Sequence, residues 1–162
     1  MSEKEVFKNK FRELRCCVLI PTYNNSTTIE KVLNDVLEYS DDVCVVNDGS
    51  TDNTLEILSS FPKIKLHSYE KNVGKGWALR QGFAFARQHG YDYAVTLDSD
   101  GQHFAEDLPT MLGTLEKNQN AIVIGARNMN QSSVPGKSSF GNKFSNFWFT
   151  LETGISIPDT QS

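Results

Sequence analysis

No stretch of this sequence approaches the roughly 20 consecutive apolar residues that a membrane-crossing helix requires. Long basic runs are also missing, and a net charge of −4 argues against nucleic acid as a partner. Cysteine is scarce, with three residues at Cys16, Cys17 and Cys44. None has the spacing of a metal ligand set, and an odd number of thiols in strand-like segments fits a reducing, cytosolic setting. The start, Met1 to Arg15, is too charged to hold a signal-peptide core, so export is not expected. No Gly-x-Gly-x-x-Gly follows the first apolar run, which argues against a dinucleotide oxidoreductase. Gly136-Lys137-Ser138 has the ending of a P-loop, but Gln131 stands where its first glycine belongs, after a polar loop rather than a buried strand. Repeats and low-complexity segments are absent.

What is present fits one soluble α/β domain. The 162 residues, 38% hydrophobic and 22% charged, are enough to bury a core. Cys17-Val18-Leu19-Ile20, Val43-Cys44-Val45-Val46, Tyr93 to Leu97 and Ala121 to Gly125 read as buried strands. Ile64 and Leu66 alternate with polar residues, as in a strand near a sheet edge. Ile29, Val32, Leu33, Val36 and Leu37 follow helical spacing, and Thr27 with Glu30 has the spacing of a capping box. Further helices are expected from Asp52 to before Pro62, from Lys75 to His89 with Gly90 as the stop, and around Leu108 to Leu115. Asn128 to Ser139 reads as a loop. Phe140, Phe144, Phe147, Trp148 and Leu151 form an apolar helical stripe, read as core rather than lipid-binding. Strands alternating with helices predict a mostly parallel sheet with helices on both faces.

Such sheets bind ligands at the C-terminal ends of their strands. Three polar clusters fall there: Pro21-Thr22-Tyr23-Asn24, Asn47-Asp48-Gly49-Ser50, and Asp98 to His103. Asp98 and Asp100, one residue apart, can share a Mg²⁺ or Mn²⁺ ion, with Gln102 and His103 close by; the other reading is a solvated Asp-rich turn. Asp48 can accept hydrogen bonds from a base or ribose, while Ser50, Thr51 or Asp52 caps the next helix. Asn72-Val73-Gly74-Lys75-Gly76 offers backbone N–H groups and a lysine to a diphosphate, or is a turn with a surface lysine. Arg127 is a phosphate clamp or a surface cation, and His67 and His89 read as structural or solvated.

Taken together, the blocks resemble the inverting GT-A glycosyltransferases of family 2, and within it the dolichyl-phosphate-mannose-synthase-like branch. The blocks are Val18 to Asn24, Val46 to Asp52, Asn72-x-Gly74-Lys75-Gly76-x-Ala78-x-Arg80-x-Gly82, Leu97-Asp98-x-Asp100-Gly101-Gln102-His103, Gly125-x-Arg127 and Asp159 to Ser162. The resemblance implies a GT-A, Rossmann-like sheet flanked by helices. Pro21, Tyr23 and Asp48 would contact the base and ribose of a UDP- or GDP-linked sugar. Lys75, with Arg80, would lie by the nucleotide. Asp98, Asp100 and Gln102 would hold Mg²⁺ or Mn²⁺, Asp98 also facing the donor, and Arg127 would meet phosphate charge. Asp159 is the candidate general base toward a lipid-phosphate or saccharide acceptor. In the family that last block runs on into an acceptor-shaping segment, so residues 1–162 are expected to be one catalytic domain cut short at its C-terminus. Self-association through the C-terminal helix is expected, as is a cytoplasmic protein, peripheral at the membrane's cytoplasmic face. The rival functions are a sugar nucleotidyltransferase, disfavoured because a Gly-rich, Arg-containing loop is missing after the first strand, and a nucleotide-sugar-binding module without turnover.

Overall fold

Cys16–Thr22 and Val43–Asp48 are buried along their whole length, which follows from their unbroken apolar sequence: each face of these strands meets a helix layer. The computed structural model describes residues 2–120 together with 122, 123 and 125. Their order is α1 (Glu3–Glu13), β1 (Cys16–Thr22), α2 (Ile29–Leu37), β2 (Val43–Asp48), α3 (Thr54–Ser59), β3 (Lys65–Tyr69), α4 (Lys75–Gln88), β4 (Tyr93–Thr96), a 3₁₀ turn (Ala105–Asp107) and α5 (Leu108–Lys117). The four strands pair in the order β3-β2-β1-β4, all parallel. Among the described strands β3 thus stands at an edge, as expected.

Strand parity divides the core. Cys16, Val18 and Ile20 of β1, with Val43 and Val45 of β2, pack against Phe11, Ile29, Leu33, Val36, Leu58, Leu108 and Leu112 from α1, α2, α3 and α5. The alternate residues Cys17, Leu19, Cys44 and Val46 meet Ala78 and Ala86 of α4. Between those two alanines lies Gly82, where a Cβ would come within 2.6 Å of Leu19 Cδ1 and 3.1 Å of Val46 Cγ2. A glycine flanked by alanines at four-residue spacing therefore sets how closely α4 lies on the sheet. All three cysteines are free and buried, and burial pushes the Cys16 thiol up to about 12.

Two expectations change upstream of β2. The first helix, α1, was not anticipated. Its signals are Ser2-x-x-Glu5, where the Glu5 N–H donates to Ser2 Oγ at 3.3 Å, and the stripe Phe7, Phe11, Leu14, of which Phe11 is fully buried. Lys8 and Arg12 add ion pairs to Asp41, each at 2.9 Å, which at partly exposed positions are worth about 0.2–1 kcal/mol. Phe11, worth about 1.5–3 kcal/mol when buried, is the stronger anchor. The capping box at Thr27 does not form. Thr28 is the N-cap of α2 and makes no side-chain cap; its side chain reaches the loop after β4, where the hydroxyl donates to the Ser99 carbonyl at 2.7 Å.

The chain divides into two compact units, Met1–Gln119 and Asn120–Ser162, and the helices and strands above belong to the first. In the second, Asn120, Ile122, Val123 and Gly125 are in neither helix nor strand. The strand expected over 121–125 is therefore not formed at its described positions; Ile122 is 91% exposed and lacks the burial such a strand needs. Arg127, Asp159 and the apolar stripe from Phe140 to Leu151 lie outside the described residues.

Candidate functional site at the strand ends

Three loops at the C-terminal edge of the sheet are cross-linked by their own polar side chains. Asn24, held in the left-handed region at φ 52°, donates its backbone N–H to Ser50 Oγ at 3.0 Å and accepts the Thr51 N–H at 2.8 Å. Asn25 gives its N–H to Thr54 Oγ1 at 3.0 Å and its side-chain amide to Ser99 Oγ at 2.6 Å. These two asparagines tie the loop after β1 to the loops after β2 and β4.

Asp52 closes the same network by accepting the N–H groups of Thr54, at the start of α3, and of Ser26. The cap position read for Asp52 belongs to Asn53, which makes no side-chain cap; Asp52 bonds the first helical N–H from one residue further out and reaches a second loop. Burial works against its charge, yet these hydrogen bonds hold the carboxyl down to about 2, from an ordinary 3.8. A depressed carboxylate stabilises the fold above its unfolded pKa and loses that contribution as pH falls through the folded value. Asp52→Asn should therefore be less stable than the wild type near neutral pH, with the difference closing as pH falls from about 4 toward 2. Denaturant titrations of both proteins across that window check this; a gap that stays constant to the lowest pH would remove the ionised hydrogen bonds as its cause.

Asp48 is only 2% exposed. Its carboxylate accepts hydrogen bonds from the Asn72 side-chain amide at 2.9 Å, the Val73 N–H at 2.9 Å and the Gly74 N–H at 2.8 Å. It thus organises the loop leading into α4. Gly49 follows at φ +66°, and a Cβ there would lie 2.5 Å from backbone atoms of Lys71 and Asn72, so only glycine lets the two loops approach this closely. The Tyr69 hydroxyl is buried with no hydrogen-bond partner among the described residues; burial, and then the nearby Asp48 carboxylate, push its pKa up.

Lys75 opens α4 and reaches Asp98, with Nζ 2.7 and 2.8 Å from the two carboxylate oxygens. The Asp98 N–H donates to His103 Nδ1 at 3.0 Å. Asp100 is exposed and accepts the Gln102 N–H at 2.9 Å.

Pro21, Tyr23, Asp48, Lys75, Asp98 and Asp100 line one open cleft of about 380 Å³, together with Asn25, Asn72 and Ser99. Gln102 contributes backbone to the Asp98–Asp100 turn, and its side chain is not among the lining groups. Arg80 is exposed on α4 and does not line the cleft. Sequence reasoning missed Asn25 and Ser99 as the link between first and last loop. Asn25 lies beside a motif residue, but nothing local signals a partner 74 positions away. Among the described residues no group of three or more His, Cys, Asp or Glu is gathered to hold a metal alone. Two carboxylates suffice where a substrate supplies the remaining oxygens, as for Mg²⁺ held with phosphates, and their hard oxygens fit that ion or Mn²⁺.

A parallel sheet with helices on both faces and this rim is the GT-A arrangement. The chain belongs to glycosyl transferase family 2, whose family model matches residues 17–156. It is 34% identical to an uncharacterized protein of Methanocaldococcus jannaschii, over 86% of this chain and 61% of that one. It is 29% identical to the UDP-N-acetylglucosamine–dolichyl-phosphate N-acetylglucosaminyltransferase of Methanococcus voltae, over 90% of this chain and 66% of that protein. The chain thus spans somewhat under two thirds of the length of these relatives. A crystal structure of glucosyl-3-phosphoglycerate synthase from Mycobacterium tuberculosis with Mn²⁺, UDP-glucose and phosphoglyceric acid matches at a TM-score of 0.69. That match covers 94% of this chain and 55% of that one at 19% identity, a likeness of fold. No helix among the described residues is long and apolar enough to cross a membrane.

Proposed function

We propose that this chain carries the donor-binding part of a glycosyltransferase that moves a sugar, with inversion, from a UDP- or GDP-linked donor to a lipid-phosphate or saccharide acceptor. The observation that carries the reading is one cleft lined by Asp48, Lys75, Asp98 and Asp100. Family membership and the Mn²⁺ and UDP-glucose bound to a protein of the same fold support it. So do the dolichyl-phosphate acceptor named for the Methanococcus voltae relative and its implied work at a membrane, which fits a peripheral localisation. The single catalytic domain over 1–162 belongs to the same proposal.

Pro21 and Tyr23 would flank the nucleoside, and Asp48 would meet base or ribose through the lone pairs its loop leaves open. Lys75 would leave Asp98 for the diphosphate, freeing both oxygens of that carboxylate. Asp98 and Asp100, with Gln102, would hold Mg²⁺ or Mn²⁺. When bound, that ion supplies Lewis-acid neutralisation of the departing diphosphate. Arg127 would add positive charge at the phosphates; Arg80, which does not line the cleft, has no part in this reading. Asp159 would take the proton of a hydroxyl acceptor; a lipid phosphate, already ionised, needs no such base.

Asp100→Asn tests the metal role. The residue is exposed, so folding should be unchanged, while the Mn²⁺-dependent part of UDP or GDP binding should fall about tenfold or more, ~1.4 kcal/mol. Calorimetric titration with and without Mn²⁺ reads this directly. Unchanged Mn²⁺ dependence would take Asp100 out of the metal site.

A further inference from the structure

The loop before α4 and the outer face of that helix differ from most of the surface. From Lys71 to Gly90 there is no Asp or Glu, in a chain with a net charge of −4. Elsewhere most cations among the described residues are paired, among them Lys4 with Glu38, Lys8 and Arg12 with Asp41, Lys10 with Glu116, and Lys31 with Asp35. Lys71, Arg80 and Arg87 are exposed and have no ion-pair partner among the described residues. Interleaved with them are Val73, 57% exposed, Trp77, 43%, and Phe83, 48%. At 3.6 residues per turn, Trp77, Arg80 and Arg87 stand on the side of the helix opposite Ala78, Gly82 and Ala86, which face the sheet.

We propose that this face docks the domain on an anionic lipid surface. Unpaired cations beside exposed aromatic and aliphatic side chains suit a layer of negative headgroups with hydrocarbon beneath: the arginines remain at the headgroups while Trp77 and Phe83 enter the boundary. A second copy of the chain fits poorly, because a two-fold contact would set the unpaired cations of this face against the same cations of its copy. The loop before α4 links this face to the cleft, since Asn72 lines the cavity and the Val73 N–H bonds Asp48. Docking here would bring a lipid-borne acceptor to the mouth of the site. The surface specifies the peripheral localisation proposed above, and it does not depend on the donor reading, because binding is measured without nucleotide or metal.

The test is cosedimentation of the 162-residue chain with phosphatidylcholine vesicles, with and without phosphatidylglycerol. Binding should require the anionic lipid and weaken as salt rises. The double variant Lys71→Gln/Arg87→Gln should bind about 25-fold more weakly, roughly fivefold per cation. Both side chains are exposed, so unchanged circular dichroism is expected. A second measurement leaves the face intact: in a Trp148→Phe background, brominated lipid should quench Trp77, the remaining tryptophan. Equal binding to neutral vesicles, full affinity of the double variant, or bound protein with unquenched Trp77 would each overturn the proposal. So would a wild-type dimer that Phe83→Ser makes monomeric, which would assign the face to a second copy.

Discussion

Asp48→Ala is expected to lower stability by about 2–3 kcal/mol and to weaken nucleoside binding whether or not Mn²⁺ is present. The change removes the acceptor for three hydrogen bonds, from Asn72, Val73 and Gly74. A buried donor left without its partner costs about 1–3 kcal/mol. The sum stays at the lower end here, because Asn72 and Val73 border solvent and water can replace part of what is lost. A drop of this size corresponds to a Tm lower by about 5–10 °C. The binding loss has two sources, since the same residue lines the cleft and holds the loop from which Lys75 projects. Thermal unfolding reads the first effect and titration with UDP or GDP the second. An affinity loss confined to Mn²⁺-containing samples would show that Asp48 serves the metal rather than the nucleoside.

The second large effect should come from a single methyl group. Gly49→Ala leaves the Asp48 carboxylate untouched but puts a Cβ 2.5 Å from the backbone of Lys71 and Asn72. The left-handed conformation costs an alanine about 1–2 kcal/mol. The clash is with main chain, so it cannot be relieved by a side-chain rotation, and the loop at 71–74 has to move. A total of about 3 kcal/mol is expected, with nucleoside affinity falling in parallel. Because both substitutions break the same loop–loop contact, the double variant Asp48→Ala/Gly49→Ala should lose much less than the sum of the two. Additive losses in equilibrium denaturation would mean that Gly49 and Asp48 act on different parts of the structure.

The parts of this fold that the sequence made legible are those decided by near neighbours. β1 and β2 stood out because burial on both faces leaves no polar alternation, and the observed parity of Cys16, Val18 and Ile20 against Cys17 and Leu19 gives the reason. α4 was legible from its start at Lys75 to its stop before Gly90. α1 was overlooked because charge dominates its composition, although Phe7, Phe11 and Leu14 carried the helical spacing. Thr27 and Glu30 had the right spacing for a capping box, but Thr28 took the cap position and its hydroxyl went to Ser99.

The site divides in the same way. Strand-end residues were identifiable because a parallel sheet collects its loops at one edge, and Pro21, Tyr23, Asp48, Lys75, Asp98 and Asp100 do line one cleft. Their partners were not identifiable. Asp48 binds residues 24 to 26 positions away, and Lys75 meets Asp98 at a separation of 23. Neither periodicity nor spacing specifies such pairs. Arg80 shows the complementary limit: its place in a motif is plain, but helical phase turns it away from the cleft once Ala78, Gly82 and Ala86 face the sheet.

The asparagine and aspartate cross-links have a consequence for how a ligand is received. Backbone N–H groups of Asn24, Asn25, Ser26, Thr51, Val73 and Gly74, all in loops, already end on side chains of neighbouring loops, of the β2 end or of the α3 start. Loop residues free to move would lose about 1–2 kcal/mol of conformational entropy each on being fixed. Here that loss is taken when the chain folds, before any ligand arrives. The rim is preorganised, so most of the favourable contact energy of an incoming nucleotide is left to appear as affinity.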